Sequence, residues 1–487
     1  MTIDIRGDRI SDAETRRRLS AGLELYRNRT RQLIDPLSYD DVHRQQIAIM
    51  SPLVWDVGHV GNFEEVWLLR ELDGRAPHDL LYDRMYNPFD NPRWIRGDLP
   101  LLDRDEAVEY SDEVRGDALA ILNRVELDPD DPLLRDGYVF KMVIQHEAQH
   151  HEIILQALDL REDLEPYSIA SFAPSRPVDH LDDAERILIP GRPFLLGTDE
   201  RTEAYDNERP RHWVEVASFE IDRFPVTNRR FSEFVDAGGY EQQDLWTSQG
   251  WEWRNSAGIE VPQGWVRQVG GGWLIRRFGH VFDLDPAEPV QHVSFHEAEA
   301  FARFAGGRLP TEPEWEKAAS WGPGATTPRI YPWGSAAPSS EFANVGQSHW
   351  GPAPVGSYPL GASAYGVEQL LGDVYEWTSS RFLGYPGFES FPYPEYSEVF
   401  FDDIEYRVLR GASWATSTAV TRSTFRNWDY RVRRQIFPES EWPGTSRCVA
   451  WLDTWGGDRF RFRPFSMTLL TRCNMLRTPP MNCCGAM

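Results

Sequence analysis

The sequence predicts a multidomain α and α+β protein in which a four-helix bundle is followed by an irregular α+β domain. Three observations carry this expectation. A chain of 487 residues is too long for one ordinary hydrophobic core. Residues 10–160 carry apolar side chains at three- and four-residue steps, which is the helical period. From Arg186 onward the texture changes to short β-type runs, Gly-Gly turns and abundant tryptophan, with no repeat of fixed period.

Helices are predicted at 12–33, 51–72, 104–125 and 134–160, lengths that suit an antiparallel bundle. Ser51 is the expected N-cap of the second helix, with Pro52 at its first helical position. Residues 161–185, with scattered prolines, read as a linker. Within 186–436 the best helix candidates are 228–238 and 296–306. The texture changes once more at 437–487, an atypical tail that holds all 4 cysteines and reads as a translated frameshift.

Composition narrows the function. A formal net charge of -25 disfavours nucleic acid and anionic membrane as partners, because both reward clustered Lys and Arg. No stretch approaches the roughly 18 apolar residues of a membrane span, and the N-terminus lacks a basic region followed by an apolar one. A cytoplasmic monomer acting on small molecules is expected. The first cysteine is Cys448, so neither disulfides nor cysteine catalysis can operate in the body of the chain.

The segment Gln145-His146-Glu147-Ala148-Gln149-His150-His151-Glu152 carries the chemistry. Residues four apart on a helix share a face, so His146 and His150 aim two imidazoles at one point. A mononuclear metal needs a third ligand, and the remaining histidines of the helical region are His43, His59, His78 and His151. His59 fits best, because it lies on the helix face that carries Trp55, Phe63 and Val66 and that a bundle would bury. His151, about 100° round the helix from His150, faces elsewhere. Three neutral imidazoles suit Fe(II), Zn(II), Cu(II) or Ni(II) on ligand softness alone.

The same segment matches H-E-x-x-H, the signature of zinc hydrolases, with Glu147 as the base. The extended form of that motif needs Gly at position 153, where this chain has Ile153, and no downstream ligand follows. A zinc-dependent hydrolase or thiol transferase built on the bundle is therefore the alternative class. A non-catalytic binding module, with the tryptophan-rich region as its recognition surface, is a third.

The helical region, through Leu53-Val-Trp-Asp-Val-Gly-His59 and His146-x-x-x-His150-x-Glu152, resembles the DinB-like domain of the ergothioneine-biosynthesis sulfoxide synthases. The second region resembles the formylglycine-generating-enzyme or sulfatase-modifying fold, C-type-lectin-like, that these synthases carry after it. Its matching segments include Phe224-Pro-Val-Thr-Asn228, Gly306-Gly-Arg-Leu-Pro-Thr-Glu-Pro-Glu-Trp315, Gly372-Asp-Val-Tyr-Glu-Trp-Thr378 and Leu409-Arg-Gly-Ala-Ser-Trp414. The resemblance implies a DinB-like bundle over 10–160 and the second fold over 186–436.

It also implies a non-haem Fe(II) enzyme. Such an enzyme uses O2 to join the sulfur of γ-glutamylcysteine, or of cysteine, to the imidazole C2 of hercynine (trimethylated histidine), giving a sulfoxide. The implied iron ligands are His59, His146 and His150. Gln149, Asn427 and Trp428 are implied around hercynine, where an aromatic ring suits a quaternary ammonium. Asp429, Arg433 and Arg96 are implied around γ-glutamylcysteine, with Arg93 the alternative to Arg96. A catalytic tyrosine is implied in the loop 385–396, with Tyr393 first and Tyr396 second. A selenoneine-synthase-like use of a selenium donor is a close variant. The cysteine-free second region excludes formylglycine formation, and the tail after Arg433-Arg-Gln-Ile-Phe437 replaces the strand with which the family closes.

Overall fold

A computed structural model describes residues 11–161, 181–402 and 404–435. The expected tail over 437–487 and most of the expected linker lie outside the described residues.

Helix α1 (Asp12–Ile34) starts where the Ser11 side chain accepts from Glu14 N–H, with Asp12 and Glu14 in the first turn and Arg31 in the last, charges that complement the helix dipole. Its buried stripe runs Leu19, Leu23, Arg27, Thr30, Leu33, so an arginine and a threonine sit among the apolar positions. A short α2 (Tyr39–His43) leads to α3 (Leu53–Glu64). Here the expected cap is corrected. Pro52 itself holds the N-cap position with no side-chain cap, and the Ser51 hydroxyl accepts from Arg96 Nη1 at 2.7 Å instead. A buried guanidinium takes the hydroxyl that the helix would otherwise have used.

The chain continues from α3 as a π-helix over Glu65–Glu71. The wider turn begins where two consecutive buried carboxylates go to different partners. Glu64 meets Arg27 and Arg115, whereas Glu65 meets Tyr110 and Arg70. After α4 (Leu80–Met85), α5 (Arg104–Arg124) is closed by a capping box between Asp103 and Glu106. α6 (Tyr138–Asp159) enters from Gly137 at φ 71, a backbone region that favours glycine.

The long helices meet around a fully buried ionic cluster. Arg27 of α1 lies 2.9 Å from both Glu64 of α3 and Glu147 of α6. Arg115 of α5 lies 2.6 Å from Glu64 and 2.7 Å from Glu147. Each carboxylate is thus shared by both guanidiniums, and the four charges cancel. Burial pushes the Glu147 pKa up, but Arg27 and Arg115 override it and hold the carboxyl well below the usual range.

α6 is buried on nearly every side, and its residues divide by helical spacing among three partners. Glu147 and His151 face α1: His151 Nε2 lies 2.8 Å from Thr30 Oγ1, and its ring stacks on Tyr26. His146 and His150 face α3. Gln145, Gln149, Glu152 and Gln156 face the second region of the chain.

That second region is built from small antiparallel sheets and short helices. β1 (Arg186–Ile189) pairs with β4 (Phe219–Asp222), and β2 (Arg192–Leu196) with β3 (His212–Val216). β5 (Trp265–Arg267), β6 (Trp273–Arg277) and β7 (His280–Asp283) form a meander. β8 (Tyr375–Arg381), β9 (Tyr406–Gly411) and β10 (Asn427–Tyr430) form a sheet in the order β10-β9-β8. The helices are α7 (Asn228–Asp236), α8 (Ser248–Ser256), α9 (Phe295–Phe304) and α10 (Glu312–Ser320). α7 and α9 are the two that periodicity predicts. The sequence does not predict α8 and α10, and α10, buried at nearly every position, carries no one-sided apolar stripe to mark it.

A second buried ionic cluster fixes the strands that matter for the site. Arg410 of β9 lies 3.0 Å from Glu312 and 2.6 Å from Glu316 of α10, and Arg426, next to β10, lies 2.7 Å from Glu312. Among the described residues, no helix is long and apolar enough to cross a membrane.

Replacing Glu147 by alanine leaves two buried guanidiniums sharing one carboxylate. The expected loss of stability is about 3–5 kcal/mol, measured by denaturant unfolding of Glu147→Ala against the parent chain.

Candidate metal centre

His59 of α3 and His146 and His150 of α6 bring their ring nitrogens within 4.8 Å of one another. His59 Nε2 lies 3.2 Å from His146 Nε2. The His150 ring centroid lies 4.9 Å from that of His59 and 4.6 Å from that of His146. The helix bearing His59 is shaped for this approach. A Cβ at Gly58 would lie 2.1 Å from the Tyr86 ring, so the glycine admits Tyr86, whose carbonyl oxygen is 2.8 Å from His59 Nδ1.

That contact sets the tautomer. A carbonyl only accepts, so His59 Nδ1 carries the proton and Nε2 keeps its lone pair. Asp56 Oδ1 does the same for His150, at 3.0 Å from Nδ1. Burial lowers the pKa of His59 and of His146, which favours the neutral imidazole at both. Two unprotonated Nε2 atoms therefore turn toward one point, and His146 completes the set. A cation satisfies all three, and an imidazole-only donor set suits a divalent transition metal. The surroundings are aromatic: Trp55 stacks on His59 at 4.7 Å and Phe63 on His146 at 3.8 Å.

Glu147 has no part in this. It points to Arg27 and Arg115, so the H-E-x-x-H base is turned away from the metal face.

The second region covers another face of α6. Gln149 Oε1 accepts from the Tyr205 hydroxyl at 3.2 Å, and the Tyr205 ring packs on Tyr396 at 4.5 Å. Glu152 accepts from Thr416 at 3.0 Å, Ser413 at 3.3 Å and Tyr375 at 3.4 Å. Burial pushes its carboxyl up to about 7 against those hydrogen bonds. Trp428 of β10 stacks on Phe382 at 4.1 Å and meets Tyr396 edge-on at 6.4 Å. Asn427 precedes it on the same strand.

Asp429 pairs with Arg433 at 3.0 Å, and Arg433 Nη2 donates to Gln156 Oε1 at 3.1 Å. Arg96 donates to Asn91 O and to Ser51, with its guanidinium 3.6 Å from the Trp55 ring centroid, so it also backs the ring that stacks on His59. Burial and the charge of Arg93 lower its pKa to about 9. Burial lowers the Arg433 pKa too, and Arg93 adds to that effect. Arg93 thus acts on both Arg96 and Arg433, with Asp56 the carboxylate that acts on Arg96 and Asp429 the one that pairs with Arg433.

Of the two loop tyrosines, Tyr393 packs on Trp67 at 5.1 Å and on Phe63 at 6.2 Å. Tyr396 lies toward Tyr205 and Trp428. Residues that sequence reasoning missed include Asp56, Tyr86 and Tyr205. Asp56 had a readable signal, a lone carboxylate inside the apolar run Leu53-Val-Trp-Asp-Val. Tyr86 acts through a backbone carbonyl and gives none.

Residues 23–154 match the DinB superfamily, and residues 172–437 match the sulfatase-modifying factor enzyme 1-like domain family. The class is thus a DinB-type bundle carrying a three-histidine cluster, joined to a sulfatase-modifying-factor-like α+β domain. The hercynine oxygenase of Mycolicibacterium smegmatis is 47% identical over 431 residues, 87% of this chain and 97% of its own. That of Mycobacterium tuberculosis is 46% identical over 86% of this chain and 96% of its own. The formylglycine-generating enzyme of Mycobacterium tuberculosis is 33% identical over 41% of this chain and 74% of its own. The chain belongs to the hercynine oxygenase family.

Asp56→Ala removes the acceptor that orients His150. The expected result is metal affinity weaker by about 10–100-fold with the helical circular dichroism unchanged, read by competition with a chromophoric chelator.

Proposed function

We propose that this chain is a non-haem Fe(II)- and O2-dependent sulfoxide synthase that joins the sulfur of γ-glutamylcysteine, or of cysteine, to the imidazole C2 of hercynine. The observation that carries the reading is the convergence of His59 of α3 with His146 and His150 of α6, the helix that also presents Gln149 to Tyr205 and Gln156 to Arg433. The 47% identity to a hercynine oxygenase supports the substrate. The overall reaction balances: a thiol, the C2–H of hercynine and O2 give the sulfoxide and one water.

His59, His146 and His150 would hold the iron, which when bound would supply the redox chemistry with O2. The residues of the chain do the rest. Gln149 and Asn427 orient hercynine by hydrogen bonding, and the Trp428 ring takes the trimethylammonium group by cation–π attraction. Asp429 holds the ammonium of the glutamyl group and Arg433 a carboxylate. Arg96, with Arg93 close enough to lower its pKa, supplies further positive charge for a donor with two carboxylates. Tyr393, beside the Phe63 ring that stacks on His146, donates the proton, and Tyr396 shapes the hercynine side next to Trp428.

The test is anaerobic loading with Fe(II), then O2, hercynine and each thiol in turn, with products read by mass spectrometry. Hercynyl sulfoxide with γ-glutamylcysteine is the expected product; its absence with every thiol overturns the assignment. Arg433→Met is expected to raise KM for γ-glutamylcysteine by about tenfold or more while KM for hercynine moves far less, as read by initial rates.

A further inference from the structure

The segment Tyr205-Asp206-Asn207-Glu208 is not part of the metal cluster or of the substrate set above. Yet all four side chains are at most 2% exposed, and each reaches a different part of the site. Tyr205 bonds Gln149 and packs on Tyr396. Glu208 takes Arg422, which also reaches Gln145 of α6. The Asn207 carbonyl accepts from Arg426, the residue before β10. Asp206 does something more specific. One carboxylate oxygen accepts from the Phe391 N–H at 3.2 Å and the other from the Ser397 hydroxyl at 2.5 Å.

Phe391 and Ser397 bracket the loop that carries Tyr393 and Tyr396. A single buried carboxylate therefore closes the loop at both ends, while Asn207 Nδ2 donates to the same Ser397 hydroxyl at 3.0 Å. Loop side chains are precise only when their backbone is held, and a misplacement of about 1 Å is enough to cost on the order of 100-fold in rate. A carboxylate fits here because it presents two acceptors on opposed oxygens to two donors, with no proton of its own to place.

We infer that Asp206 is the positioning residue of the tyrosine loop, its two oxygens fixing Phe391 and Ser397 so that Tyr393 is held against Phe63 and Trp67 beside the histidine cluster and Tyr396 against Tyr205 and Trp428. This rests on the proposed role of the loop tyrosines. Asp206 acts through them and touches no substrate. Asparagine can keep both contacts, accepting from Phe391 N–H through Oδ1 and donating to the Ser397 oxygen through Nδ2. Alanine can keep neither.

The test compares Asp206→Ala, Asp206→Asn and Ser397→Ala with the parent and with Tyr393→Phe in the full-length, iron-loaded protein. Asp206→Ala is expected to lower kcat about 10- to 100-fold, with KM for both substrates within about twofold and iron content unchanged. Asp206→Asn recovers most of the loss, and Ser397→Ala falls between. Combining Asp206→Ala with Tyr393→Phe adds little to the tyrosine change alone. Independently of any turnover, hydrogen exchange of peptides spanning 388–398 in the metal-free protein speeds up in Asp206→Ala and not in Asp206→Asn.

Unchanged exchange of the loop with unchanged kcat overturns the inference. So does a change confined to KM, or a loss of iron that parallels the loss of rate. If Asp206→Ala does not fold, Ser397→Ala decides, because it removes one of the two contacts and leaves the carboxylate in place. Should the parent protein make no sulfoxide, the proposed reaction fails while the exchange experiment still tests the clamp.

Discussion

Two arginines and two glutamates in the middle of the bundle set the register on which the metal cluster depends. Arg27, Glu64, Arg115 and Glu147 come from four helices, and charges taken out of water are tolerated only when each finds its partners. The helices can slide or rotate relative to one another only by breaking that pairing. Because Glu147 sits between His146 and His150 in sequence, fixing its direction toward Arg27 and Arg115 turns the two histidines toward α3. The same pairing removes Glu147 from hydrolytic chemistry. The residue that makes the sequence look like a zinc protease is the one that holds the bundle closed.

α6 then acts as a shared wall. One face binds the bundle through Glu147 and His151, one presents His146 and His150 to His59, and one presents Gln145, Gln149, Glu152 and Gln156 to the second region. Polar side chains on that last face are buried against hydroxyls and guanidiniums, so their hydrogen bonds are made across the boundary between the two regions. Burying such groups without partners is costly, and this selects one docking of the α+β region on the helix. Strand β10 inherits that docking through Arg426 and Glu312.

Support of the metal ligands and support of the loop follow the same logic. Asp56 and the Tyr86 carbonyl each fix one histidine by occupying its far nitrogen, and Asp206 fixes the loop by occupying both of its ends. In each case a buried acceptor removes a degree of freedom from the group it holds. Stacked rings fill the remaining volume: Arg96 over Trp55, Trp55 over His59, Phe63 over His146.

Much of this was written in short-range sequence. The helical period of residues 12–33, 104–125 and 134–160, the four-residue spacing of His146 and His150, and the choice of His59 from its apolar neighbours all depend on side chains within a few turns of one another. Ile153 and the missing downstream ligand argued against the zinc-protease pattern but left it as an alternative, until the structure showed Glu147 turned to Arg27 and Arg115. Other features were decided only in three dimensions. The displacement of Ser51 from its capping role needed Arg96, 45 residues away, and the conversion of α3 to a π-helix accompanies two adjacent glutamates with separate partners. Asp206 meets the tyrosine loop from 185 and 191 residues away. Periodicity reports which face of an element is buried, because burial of neighbouring residues is correlated along the chain. It carries no record of which distant donor will meet a particular carboxylate, since that depends on how whole elements pack.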